Sequence, residues 1–261
     1  SKYALAVSSC SAALFLSLRA LDLPRDARVL IPGFTFAAVP SALIHADCLP
    51  VLCEVGDNYR IDMADFAAKL PTVSAVIVSH MRGHTSDMDA IMGLCDAAGI
   101  PVIEDAAHSL GTLWHGRKIG TLGRIGCFSF QSYKMINAGE GGILITDDAD
   151  LVARAVIMSG AYEHNWKKHP VLQDAFAAHQ NTLPLYNLRM GNLSAAGFDP
   201  VQRAGRNRCA SAGLCRRRQG AGRHRSGVWP KRRQRACLLE LEVHRRPART
   251  AANPCHADAR L

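Results

Sequence analysis

Residues 74–105 read SAVIVSHMRGHTSDMDAIMGLCDAAGIPVIED, and this stretch decides the fold class. Ser74–Ser79 is a short, continuous apolar run, the pattern of a strand buried on both faces. Asp87–Ala98 repeats apolar Met88, Ile91, Met92 and Leu94 at helical spacing and stops at Gly99. Pro101–Ile103 is a second apolar strand, which delivers Glu104 and Asp105 at its carboxyl end. The same alternation extends in both directions. Strands are predicted at Ala4–Val7, Arg28–Ile31, Pro50–Val55, Ile125–Phe130 and Gly142–Thr146. Helices are predicted at Ala12–Leu21, Phe36–His45, Met63–Leu70 (with Asp62 as N-cap) and Ala149–Met158. The result is an α/β fold, a mainly parallel sheet with helices on both faces. In such sheets ligands sit beyond the carboxyl ends of the strands.

The chain has 261 residues, 48% apolar and 20% charged, enough to bury a core and too apolar for wholesale disorder. Its net charge of +9 is unevenly placed. Residues 1–198 hold 15 basic and 18 acidic side chains, whereas residues 199–261 hold 16 basic ones, 15 of them Arg, against 4 acids. Two units follow: an ordinary globular domain over 1–198, and an irregular Arg-rich tail over 199–261. Apart from Ala236–Val243 the tail has no sustained period. Clustered Arg attracts phosphate, so one reading is an RNA- or DNA-binding arm. The abrupt switch to Arg, Ala, Gly, Pro and His fits better with a G+C-rich coding sequence translated out of frame, and a nucleic-acid partner is not expected. Nine cysteines, an odd number without a CxxC pair, argue against a disulfide framework or zinc and for reduced thiols in a cytoplasmic protein. Tyr3–Leu18 is uncharged after Lys2, but Ser8, Ser9, Cys10 and Ser11 interrupt it and it lacks a cleavage site. No uncharged run reaches the ~18 residues of a membrane span.

Three segments carry chemistry. Phe128–Gly142 holds a lone Lys134 among apolar, Ser and Gly residues just after a strand. An amine in a low-dielectric pocket has its pKa lowered and becomes a nucleophile for Schiff-base formation, although most lysines are solvated surface charges. The glycines of Gly139-Glu140-Gly141-Gly142 allow a cofactor to approach the backbone closely. Asp105, at the end of a buried strand, needs a partner. A protonated pyridine nitrogen would serve, and so would the N-terminus of a helix beginning near Ala106. His108 faces either a cofactor or a loop. Ser9, Cys10 and Ser11 form a strand-to-helix turn that suits either a bound phosphate or a plain Ser N-cap.

The order of these motifs resembles the DegT/StrS-type sugar aminotransferases. It runs Ser8-Ser9-Cys10-Ser11-Ala12-Ala13-Leu14, Pro32-Gly33-Phe34-Thr35-Phe36, Glu104-Asp105-Ala106-Ala107-His108, Phe128-Ser129 with Lys134, and Gly139-Glu140-Gly141-Gly142. The resemblance covers about Lys2 to Ala196. It implies the large domain of a fold-type I enzyme that uses pyridoxal 5′-phosphate (PLP). Such an enzyme moves an amino group from glutamate or glutamine to a nucleotide-linked keto sugar or a keto cyclitol. By resemblance, Lys134 is the Schiff-base lysine and proton shuttle, Asp105 the acid on the ring nitrogen, and His108 the group beside the ring hydroxyl. Phe36 stacks on the ring, while Ser9, Cys10, Ser11 and Ser129 hold the phosphate. Asn187, in Tyr186-Asn187-Leu188-Arg189-Met190, matches an Asn that reaches the phosphate of a neighbouring subunit, which implies a homodimer with shared sites.

The sequence also departs from the family pattern. Cys10 stands where the family has Gly. The family places a segment ahead of Ser1, so the chain reads as clipped there. The family's small C-terminal domain is expected after Ala196, where the basic tail stands instead. Gln131 resembles the branch acting on cyclitols and aminohydroxybenzoate precursors; nucleotide sugars are kept first. Three competing readings are an inactive or regulatory PLP-binding protein, a nucleic-acid binder working through the tail, and a desulfurase with Cys10 as its mobile nucleophile.

Overall fold

A computed structural model describes residues 1–160, 165–169 and 172–197. The expected tail at 199–261, with its out-of-frame and nucleic-acid readings, lies outside the described residues.

Seven strands form one sheet. In chain order they are β1 (Tyr3–Val7), β2 (Ala27–Pro32), β3 (Cys48–Cys53), β4 (Ala75–Ser79), β5 (Val102–Asp105), β8 (Ile125–Ser129) and β9 (Gly142–Thr146), and in space they run β1-β9-β8-β5-β4-β2-β3. A small hairpin, β6 (Leu113–Trp114) with β7 (Arg117–Lys118), stands apart. Strands β3, β2, β4, β5 and β8 pair in parallel, which requires a crossover between successive strands. Helices α1 (Cys10–Ala20), α2 (Ala38–His45), α5 (Ala149–Ser159) and α6 (Gln173–His179) put Leu14, Leu16, Leu43, Val156 and Phe176 into the core on one face. Helices α3 (Met63–Lys69) and α4 (Met88–Ala98) cover the other with Phe66, Met88 and Ile91. A last helix, α7 (Asn192–Gly197), ends the described chain.

The predicted α/β class holds. Asp62 caps α3 through the N–H groups of Ala64 and Asp65, Asp87 caps α4, and Gly99 ends α4 in the left-handed conformation. One direction that a mainly parallel sheet leaves open is settled, and three expectations change. Strand β9 is antiparallel to both neighbours, because β8 turns back into it through a loop with no crossover helix. Helix α1 starts at Cys10 rather than Ala12, since Ser9 accepts the N–H of Ala12. The strand predicted at Pro50–Val55 runs from Cys48 to Cys53, bounds set by its register with β2. No helix begins at Ala106, so the helix-cap reading of Asp105 fails: its Oδ1 accepts the Ala107 N–H at 3.1 Å inside a local turn. The hairpin, α6 and α7 were not expected, being too short to show a period.

Candidate active site

The carboxyl ends of β1 and β8 meet the amino end of β9. Gly142 pairs with both Val7 and Ser129, so the start of β9 is held between the ends of its neighbours. A Cβ on Gly142 would lie 2.4 Å from the Ser9 carbonyl carbon and 2.6 Å from the Cys10 nitrogen. Glycine there lets the first turn of α1 sit directly on the strand. Ser9 caps that turn, and the first N–H groups of a helix point out of its N-terminus.

Around this junction lies a cavity of about 430 Å³. Eight of the nine predicted site residues line it: Ser9, Cys10, Ser11, Phe36, Asp105, His108, Ser129 and Lys134. The amine and the carboxylate singled out from sequence thus share one cleft. The ninth, Asn187, does not line it. It is exposed on a segment laid along β1, where Ser8 N–H donates to Leu188 O and Arg189 bridges to Val7.

Asp105 is 6% exposed and is held from three sides. Ser79 Oγ donates to its Oδ2 at 2.8 Å, Ala107 N–H to its Oδ1, and the Cys10 thiol lies 3.9 Å from Oδ1. Ser79 was not singled out from sequence; the available signal was a hydroxyl closing an otherwise apolar buried strand. Burial, reinforced by the Asp105 charge, pushes the Cys10 thiol well above its ordinary pKa. Cys10 is thus a buried thiol in the first turn of a helix, where burial favours its protonated form, and this position argues against the mobile nucleophile a desulfurase needs. Burial, with the nearby Lys134 ammonium adding to it, holds His108 below the usual histidine range, Asp105 opposing. His108 Nδ1 lies 3.4 Å from the Arg82 backbone nitrogen, as the acceptor of that N–H.

Lys134 sits on a loop closed at its base. Phe130 N–H donates to Gly141 O and Ala138 N–H to Phe130 O, while Lys134 N–H donates to Gln131 O. The Gln131 side chain accepts Tyr133 N–H, and Ser132 Oγ donates to Gly139 O. These bonds fix the backbone on both sides of the lysine. Gln131, Tyr133 and Glu140 also line the cavity, whose outer rim is set by Phe36 (60% exposed) and Tyr133 (93% exposed).

The model of the DegT/DnrJ/EryC1/StrS aminotransferase family matches residues 1–199. The chain belongs to that family. GDP-perosamine synthase of Vibrio cholerae is 32% identical over 197 residues, which is 75% of this chain and 51% of that protein. L-glutamine:scyllo-inosose aminotransferase of Streptomyces griseus is 36% identical over 151 residues, 57% of this chain and 36% of that protein. The solved structure of DesI, in the presence of its TDP-sugar product, superposes with a TM-score of 0.65 at 31% identity, covering 80% of this chain and 52% of that one. The chain thus spans about half the length of these relatives, or less. For a member of the DegT/DnrJ/EryC1/StrS family, the matched region contains the whole cavity and Asn187. Among the described residues no helix is long and apolar enough to cross a membrane, and no cluster of His, Cys, Asp or Glu is arranged to hold a metal ion.

Proposed function

We propose that residues 1–198 form the PLP-binding large domain of an aminotransferase whose acceptor is a keto sugar on a nucleotide or a keto cyclitol. The observation that supports it is the single cleft shared by Lys134, Asp105 and the capped N-terminus of α1. These residues fit PLP. The helix start with Ser9 and Ser11, together with Ser129, offers N–H and hydroxyl donors to a phosphate. Asp105, nearly buried yet lining the cavity, offers a carboxylate to a pyridinium nitrogen, and Phe36 offers an aromatic face. When bound, PLP supplies an aldehyde for covalent attachment and a ring that withdraws electrons from the carbon being deprotonated. The chain's own groups do the remainder. Lys134 would hold the cofactor through Nζ, and its amine, when free, would take up the proton as a base and return it as an acid. Asp105 keeps the ring nitrogen protonated, with Ser79 and Ala107 fixing the direction of its oxygens. His108 would stand beside the ring, where its burial disfavours a second positive charge.

Both kinds of chemistry occur among the similar proteins by name: one is a synthase of GDP-perosamine, a nucleotide-linked amino sugar, and another an aminotransferase of the keto cyclitol scyllo-inosose. Free thiols at Cys10, Cys48, Cys53, Cys95 and Cys127 suit a reducing, cytoplasmic setting. The test is direct. Purified full chain mixed with PLP and desalted is expected to keep a visible absorption band, and adding glutamate or glutamine is expected to convert it to that of the amine form of the cofactor. A chain that emerges from desalting without PLP refutes the reading. A chain that keeps PLP but does not respond to either donor is a cofactor-binding protein and no transferase.

Asn187 belongs to the same proposal. The family resemblance assigns it to the phosphate of a second copy, and its exposure outside its own chain's cavity leaves it free for that role. Mixing Lys134→Ala chains with Asn187→Ala chains is then expected to restore cofactor retention that neither shows alone, because one site of each mixed dimer carries neither substitution. Retention at the wild-type level in Asn187→Ala by itself ends that assignment.

A further inference from the structure

We propose that Glu104 is the positioning residue for Asp105, fixing from the far face of the sheet where the cavity carboxylate stands. The inference rests on the PLP reading above. Side chains alternate along a strand, so Glu104 and Asp105 leave the central strand β5 on opposite faces. Glu104 is fully buried. Its Oε1 accepts the N–H groups of Leu122 and Gly123, both at 2.6 Å. Its Oε2 accepts Gly120 N–H at 2.7 Å and lies 3.2 Å from His80 Nε2. Burial alone would raise the pKa of this carboxyl; bonds from His80, Gly123 and Gly120 outweigh it and hold it below the ordinary range.

The turn that Glu104 gathers is wedged against the sheet. Gly126 is the β8 partner of Glu104, and a Cβ there would lie 1.9 Å from Gly120 O. Gly120 itself has φ +87°, and a Cβ on it would lie 2.2 Å from Phe128 Cζ. This space is filled by backbone whose N–H groups have the Glu104 carboxylate as acceptor, and an unpaired N–H in such a place is costly.

Two consecutive pairs then clamp the strand ends. On the cavity face Ser79 Oγ holds Asp105; on the far face the His80 ring meets Glu104. Between them His80 N–H donates to Asp105 O at 3.0 Å, and Ala106 N–H donates to Cys127 O at 2.8 Å. Any shift of Glu104 is therefore passed through His80 to the backbone that aims Asp105. A glutamine cannot substitute. Its oxygen can accept from Leu122 and Gly123, but its NH₂ then confronts Gly120 N–H, donor against donor.

The test uses the full chain as wild type, Glu104→Gln, Asp105→Asn and the double variant. Without cofactor, Glu104→Gln is expected to speed amide exchange on the order of tenfold at Gly120, Leu122 and Gly123 and also at Ala107, whose N–H reports the Asp105 turn. Faster exchange confined to 120–123 overturns the proposal. With PLP, Glu104→Gln is expected to weaken binding about tenfold and to shift the pH profile of the visible band, while the double variant binds no more weakly than Asp105→Asn alone. Fully additive losses show a structural brace that does not act through Asp105, and overturn it too. If wild type takes up no PLP, the PLP reading fails, and the exchange measurement alone decides whether Glu104 sets the Asp105 turn. Should Glu104→Gln not fold, His80→Phe removes one of the four contacts while keeping a ring in place, and is expected to give the same pattern at smaller size; unchanged exchange at Ala107 in that variant overturns the proposal.

Discussion

Lys134→Ala is expected to abolish covalent retention of PLP. In the wild-type chain, borohydride treatment after PLP loading is expected to fix the cofactor, and peptide mapping to place the added mass on Lys134. The loop carrying that lysine is pinned at Phe130, Gly141 and Ala138, so the loss comes from the missing amine while the surrounding fold stays in place. Proton transfer by a positioned side chain contributes about 10²–10⁴-fold to rate, and the variant is expected to lose at least that in any amino transfer. Other described lysines do not compensate. Lys69, for example, is engaged with Asp65 at 2.7 Å and with Leu52 O at 2.9 Å on the outer surface. Lys134→Arg separates charge from chemistry, since it keeps a cation in the cleft but cannot condense with an aldehyde. Fixation at the wild-type level in Lys134→Ala, mapped to another lysine, removes the basis of the assignment.

Gly142→Ala is the second large effect. The added Cβ meets the Ser9–Cys10 peptide at 2.4–2.6 Å, and the atoms it meets are backbone. Either β9 leaves its register with Val7 and Ser129 or the first turn of α1 lifts off the strand. Overpacking of this kind costs about 1–3 kcal/mol, and the upper end applies where no side chain can swing away. Urea unfolding is expected to show that loss, and PLP affinity is expected to fall with it because the same peptide begins the phosphate-facing turn. Gly93 supplies the control. It lies inside α4 with nothing near its would-be Cβ, so Gly93→Ala is expected to gain about 0.5–1 kcal/mol. Should the two variants unfold at the same urea concentration, the contact between β9 and α1 is not as tight as the structure has it.

Much of this architecture is legible in the chain because its causes are local. Strand β4 is buried on both faces, so Ala75–Ser79 is a continuous apolar run that needs no partner to be recognised. Asp62 and Asp87 bond the N–H groups two or three residues ahead, and such caps show in the order of residues. The motif residues also stand at recognisable spacings, and eight of the side chains they single out line the cavity. Ser79 and Glu104 were less accessible for one shared reason. Their partners lie 26 residues away in one case and 16 to 24 in the other, so only pairing across the sheet gives them a role.

The residues alone determined the α/β class, the Asp62 cap of α3 and the membership signalled by ordered motifs, and they singled out an amine and a carboxylate that share one cleft. Tertiary structure decided the reversed direction of β9, the ending of β5 in a turn in place of a helix, and the exclusion of Asn187 from its own cleft. It also turned Cys10 from a possible nucleophile into a buried thiol beside Asp105. Those outcomes depend on which strands meet and what they bury, and such energies arise between segments far apart in the chain.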